Sequence, residues 1–145
     1  MAVKSAYIKQ INGITFAGKT DSNHWITMDG PKESGGSDAG IRPKELILLA
    51  LGGCTSSDVV SILNKKRVKF DGYEINITSE TSDSHPQVFT KINLEYVFYG
   101  NQMDPKNVER AIELSLTKYC GVTAMLEKAC GISHTYRIVT TEEKE

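Results

Sequence analysis

The sequence predicts an α+β fold in the order βββ-α-ββ-α-α-β. Three observations point there: alternating apolar and polar residues on either side of Asn12-Gly13, a long run over residues 41–67 that passes from apolar to polar, and an amphipathic run opened by Asp104-Pro105. With 145 residues, 39% apolar and 24% charged, the chain fits one domain, residues 1–145, able to bury a core.

AYIKQI and ITFAGKT flank Asn12-Gly13, a favoured two-residue hairpin turn, and HWITMD follows as a third strand. GPKESGGSDAG, residues 30–40, concentrates Gly, Ser and charge and has the composition of a mobile loop. Pro43 suits a helix's first turn, and Lys66 and Arg67 place cations at its C-terminal end. FDGYEINITSE and QVFTKINLEYVFYG alternate as two long strands of a hairpin. Asp104 and Pro105 form an N-cap and first-turn pair ahead of NVERAIELSLTKY. Cys120-Gly121 interrupts that run, VTAMLEKAC resumes helical character, and Gly131 suits a helix C-terminus. ISHTYRIVT closes as a strand, and TEEKE reads as a solvated tail.

A helix from about Pro43 to Arg67 is roughly 36 Å long, against a radius of gyration of about 15 Å for a compact chain of this size. Leu46 to Leu51 are apolar all round, so that half needs cover on every side. One small sheet covers one face, which predicts a second subunit and hence a dimer.

Lys plus Arg (17) nearly balance Asp plus Glu (18), so neither nucleic acid nor an anionic membrane is the expected partner. MAVKSAYIKQ has no apolar targeting core, and no apolar run approaches the roughly 20 residues that span a bilayer. The expected location is the cytoplasm. Cys54, Cys120 and Cys130 form neither an even disulfide set nor a C-x-x-C pair, so the expectation is free thiols in a reducing compartment. Together with His24, His85 and His134 they show none of the short spacings of structural zinc sites, and no metal is expected.

Cys54 has two readings. Free cysteine commonly behaves as a small buried hydrophobe. Against that stand Gly52 and Gly53, which cost a helix about 1 kcal/mol each relative to Ala and so suggest a close backbone approach, and the abrupt polar turn at Thr55, Ser56, Ser57 and Asp58, which suggests a small pocket. Cys120 is either a buried cysteine at a kink or a thiol activated by the free amides of a new helix, with Lys118 nearby. Cys130 reads as structural.

RPKELILLALGGC with Cys54, LTKYCGVTAMLEKA with Cys120, and the element order together resemble the OsmC/Ohr family of hydroperoxide-reducing proteins, in particular its YhfA-like branch. The resemblance spans nearly the whole chain. It implies an intertwined homodimer with long central helices packed on antiparallel sheets, no bound cofactor, Cys54 as peroxidatic cysteine and Cys120 as its resolving partner. A hydroperoxide would be the substrate, and an external thiol or dithiol the reductant. Leu51, Tyr119 and Met125 would wall a pocket for an alkyl tail, with Gly53 and Asp58 beside the thiol.

Family peroxidases carry a glutamate ten residues before the first cysteine and an arginine in the N-terminal hairpin region. Here position 44 is Lys44, the glutamate is Glu45, and no arginine precedes Arg42. On one helix Glu45 faces about 180° away from Cys54. Arg42 or Lys44 is therefore the expected source of positive charge, with Glu45 available to a partner subunit, while Asp58 opposes thiolate formation or holds a cation. A thiol peroxidase is the leading reading. The alternatives are a small-molecule-binding or redox-sensing dimer, and a structural dimer with two buried cysteines.

Overall fold

In the computed structural model, residues 1–140 are described, and the predicted tail TEEKE lies outside them. The chain resolves into two compact units, Met1–Leu49 and a second from Ala50 onward. The element order is the one the sequence predicts.

In the first unit, β1 (Ala6–Asn12), β2 (Thr15–Thr20) and β3 (Trp25–Met28) form an antiparallel sheet in that order. Asn12 pairs with Thr15, so the hairpin loop is Gly13-Ile14, one residue later than predicted. Gly13 takes φ +54°, and the irregularity between Gln10 and Asn12 absorbs the shift. All of β1 is exposed, including Tyr7, Ile8 and Ile11.

Residues 30–40 are not the loose loop their composition suggests. Asp29, buried at the end of β3, gathers them. Its carboxylate accepts from the Thr15 hydroxyl (2.7 Å) and from the amides of Gly30 (2.7 Å), Ser37 (3.1 Å) and Ala39 (3.1 Å). Burial acts to raise the Asp29 pKa, but these donors outweigh it and hold the carboxyl below its ordinary value. A single 3-10 turn, Lys32–Ser34, and a bridge from Met28 to Ile41 complete the fold of the segment. Gly and Ser are frequent here because backbone passes close to backbone: a Cβ on Gly40 would lie 2.5 Å from the Thr27 carbonyl oxygen.

α1 (Glu45–Lys65) has 21 residues, about 31 Å of helix, beginning two residues after Pro43. By length and composition it is apolar enough to cross a membrane, which the sequence reading did not expect because Thr55 to Asp58 interrupt the apolar run. In the second unit its buried residues Leu51, Thr55, Val59 and Leu63 recur every four positions, a single stripe. Gly52 lies on that stripe because a Cβ there would fall 2.5 Å from Ile77 Cδ1, so the close approach is to a strand. Gly53 faces open space. The helix ends as Arg67 turns left-handed (φ +58°) and the Val68 amide reaches back to the Leu63 carbonyl.

β4 (Gly72–Thr81) and β5 (Phe89–Tyr99) pair antiparallel, and β6 (Gly131–Val139) joins β5 in parallel, giving the order β4-β5-β6. A parallel neighbour needs a crossover, and α2 (Pro105–Leu114) and α3 (Gly121–Leu126) supply it. Asp104 caps α2 by accepting from the Lys106 amide at 2.9 Å, with Pro105 at the first helical position. α3 stops at Leu126, short of the expected stretch to Cys130, and Gly131 opens β6 rather than closing a helix. Ile92, Leu94, Tyr96 and Phe98 of β5 are fully buried with Val108, Ala111 and Ile112 of α2, forming the core of this unit.

Candidate thiol site

Cys54 on α1 and Cys120 at the break between α2 and α3 come together within the second unit. Cys54 precedes the buried Thr55 on α1 and is therefore half-buried at the edge of the stripe, with Asp58 one turn later on the same side. Between α2 and α3 the chain makes a π-helical turn, Ser115–Tyr119, closed by a 2.8 Å bond from the Cys120 amide to the Ser115 carbonyl. Cys120 leaves that turn extended and caps α3, its Sγ accepting from the Thr123 amide at 3.4 Å. Cys120 is buried.

The two sulfurs and the Asp58 carboxylate all lie within 4.8 Å of one another. Burial pushes the Cys54 thiol above its ordinary value, the Cys120 hydrogen bond and the charges of Cys120 and Asp58 add to that, and the Val122 amide opposes it.

A buried hydroxyl chain fixes Asp58. Thr55 Oγ1 lies 2.7 Å from Tyr96 OH and 2.8 Å from Ser115 Oγ, and Ser115 donates to Asp58 Oδ2 at 2.9 Å. Each hydroxyl has one proton. With Ser115 committed to the carboxylate, Thr55 donates to Ser115 and Tyr96 to Thr55, so the chain runs in one direction from β5 to Asp58. Burial pushes the Tyr96 hydroxyl well above the ordinary tyrosine range. Ser56 pairs with Tyr73 OH (2.7 Å), and Ser57 donates to the Gly53 carbonyl (2.8 Å). The polar half of α1 is therefore a set of partnered groups.

The remaining expected residues are placed differently. Leu51 is wholly buried in the core, Gly53 is exposed, and Met125 is exposed. Exposed Tyr119 lines a cavity of about 380 Å³ with Asp58, Ser61, Ile62, Lys65, Lys66 and Leu114. Arg42, Lys44 and Glu45 belong to the first unit. There the Arg42 guanidinium binds Asp38 (2.8 Å) and the Gly40 carbonyl (3.2 Å), and Glu45 accepts from the Arg42 amide (3.2 Å).

Tyr96, Ser115 and Val122 escaped the sequence reading. Ser115 left a trace: it continues the buried spacing 108, 111, 112 of α2, and a serine in an apolar stripe asks for a partner. Absent zinc-type spacing argued against a metal, yet folding sets Cys54, Asp58 and Cys120 side by side from two distant segments.

The chain is similar to known proteins. The family described as OsmC-like protein matches residues 35–135, a range holding both thiols and Asp58. Protein YhfA of Escherichia coli K12 is 44% identical over 134 residues, covering 92% of this chain and 97% of its own. A hypothetical protein from Aquifex aeolicus superposes with a TM-score of 0.85 at 30% identity, covering 97% of this chain and 98% of its own. The organic hydroperoxide resistance protein OhrB of Bacillus subtilis shares the fold, with a TM-score of 0.65 over 94% of this chain and 98% of its own, at 10% identity. In family match, in sequence over nearly its full length and in the order of its elements, the chain belongs to the OsmC-like proteins.

Proposed function

We propose that the protein is a thiol-dependent hydroperoxide reductase working through Cys54 and Cys120. The observation that carries this reading is the approach of the two sulfurs to within 4.8 Å of one another. The Cys54 thiolate attacks the terminal oxygen of ROOH, the O–O bond breaks, and RO⁻ takes a proton to leave as alcohol. Cys120 then attacks the resulting sulfenic acid, releasing water and forming a disulfide that an external thiol or dithiol reduces. The proposed assembly is a cytoplasmic homodimer. The exposed side chains of Tyr7, Ile8, Ile11, Ile47 and Leu49 support such an assembly. α1 is read as a core helix because Thr55 and Ser56 at its middle bond to tyrosines of the sheet.

The test is turnover of cumene hydroperoxide with a dithiol. Cys54→Ser is expected to abolish consumption, and Cys120→Ser to accumulate a sulfenic acid at Cys54 without a disulfide. Unchanged turnover in Cys54→Ser removes the mechanism. One observation favours a second reading, a redox-sensing or ligand-binding dimer without efficient turnover: Asp58 and burial both disfavour the Cys54 thiolate.

A further inference from the structure

Asp58 sits oddly in a site meant only for a reactive thiolate. A peroxidatic cysteine calls for a neighbouring cation, yet the charged side chain beside these sulfurs is a carboxylate. Nor is it there by accident of exposure, since Ser115, itself held by Thr55 and Tyr96, fixes its orientation.

We propose that Cys54, Asp58 and Cys120 form a three-ligand site for a thiophilic divalent cation such as Zn²⁺, its fourth position open to solvent. Tetrahedral zinc with bonds of about 2.3 Å to sulfur and 2.0–2.2 Å to oxygen holds its donor atoms about 3.5–3.8 Å apart. The three donors here already lie within 4.8 Å of one another, so small side-chain rotations close the site. Cys54 and Asp58 are half-buried, which leaves a path for solvent and the ion.

The second layer fits as well. Metal-bound thiolates and carboxylates are held by outer hydrogen-bond donors, and two of the three ligands here have one: the Thr123 amide for Cys120 and the Ser115 hydroxyl for Asp58. Binding converts two thiols and Zn²⁺ into two Zn–S bonds and two protons released to solvent, with Asp58 contributing an oxygen and no change of oxidation state. Two thiolates and a carboxylate, mutually repulsive alone, become a favourable set around a dication. A cation held here occupies both sulfurs, so it and the peroxide chemistry above exclude one another. The binding itself does not depend on that chemistry.

The test uses the fully reduced, metal-free chain titrated with Zn²⁺ against a chromophoric chelator, and in parallel with Co²⁺. The expected results are one ion per chain, two protons released per Zn²⁺, and a thiolate-to-cobalt charge-transfer band. Cys54→Ser and Cys120→Ser should each diminish that band, and Asp58→Asn should weaken Zn²⁺ binding at least tenfold. Asp58→His, which substitutes another zinc ligand, should recover it, and Cys130→Ser should change nothing. No stoichiometric binding to the parent chain overturns the proposal. So does Asp58→Asn binding as tightly as the parent, or loss of the band in Cys130→Ser.

Discussion

Asp29 shows how one side chain organises a segment that composition leaves undefined. Four donors converge on its carboxylate, and three of them are amides of residues 30–39, so the ionised form fixes the path of that stretch. The consequence is pH-dependent. The folded pKa is depressed, so this contribution is present above the unfolded value of about 3.9 and is lost as pH falls through the lower folded value. Hydrogen exchange of the Ser37 and Ala39 amides should accelerate in acid relative to the rest of the first unit. In Asp29→Asn it should already be fast at neutral pH. Equal protection in parent and variant would deny Asp29 this role. None of this was legible in GPKESGGSDAG, because the hub lies one residue outside the stretch and its partner Thr15 fourteen residues before it. The thiol site was half legible for the same reason. Cys54, Asp58 and Cys120 are visible as residue types, whereas Tyr96 and Ser115 matter only through contacts made 41 and 60 positions away from Thr55.

At the scale of elements, adjacent glycines on α1 have different work. Gly52 is needed where the helix meets Ile77, but Gly53 has no neighbour a Cβ would touch among the described residues. Helix propensity alone then makes Gly53→Ala stabilising, by up to about 1 kcal/mol. Gly52→Ala should give no such gain, because Ile77 must move. Urea unfolding of both variants checks the contrast, and a stabilising Gly52→Ala would contradict it. The strands and helices themselves were readable because alternation, caps and prolines are local signals: Asp104-Pro105 caps α2 as expected. The departures fall where long-range contacts decide. The first hairpin turn slips to Gly13-Ile14, and α3 is cut to six residues so that Cys130 can lead directly into β6.

For the whole molecule, the question is what covers the apolar surface left by residues 1–49. Ile47 and Leu49 on α1 are 39% and 59% exposed, and Tyr7, Ile8 and Trp25 of the three-stranded sheet are also open. The length and all-round apolar character of the helix led to a second subunit from sequence alone, and the proposed homodimer gives these residues a partner. Sedimentation should show a dimer in the parent chain and a shift toward monomer in the Ile47→Asp, Leu49→Asp double variant. A monomeric parent would remove the dimer and with it the idea that Glu45 serves a partner subunit.

The central claim is that Cys54 is a reagent with Cys120 as its partner, and the most direct measurement is disulfide mapping. Reduced protein receives one equivalent of cumene hydroperoxide or of hydrogen peroxide, and the unreduced digest is read by mass spectrometry. The account predicts a Cys54–Cys120 bond that forms rapidly, and faster with the organic peroxide. Thiols still intact after minutes, or a bond that involves Cys130 instead, would contradict it.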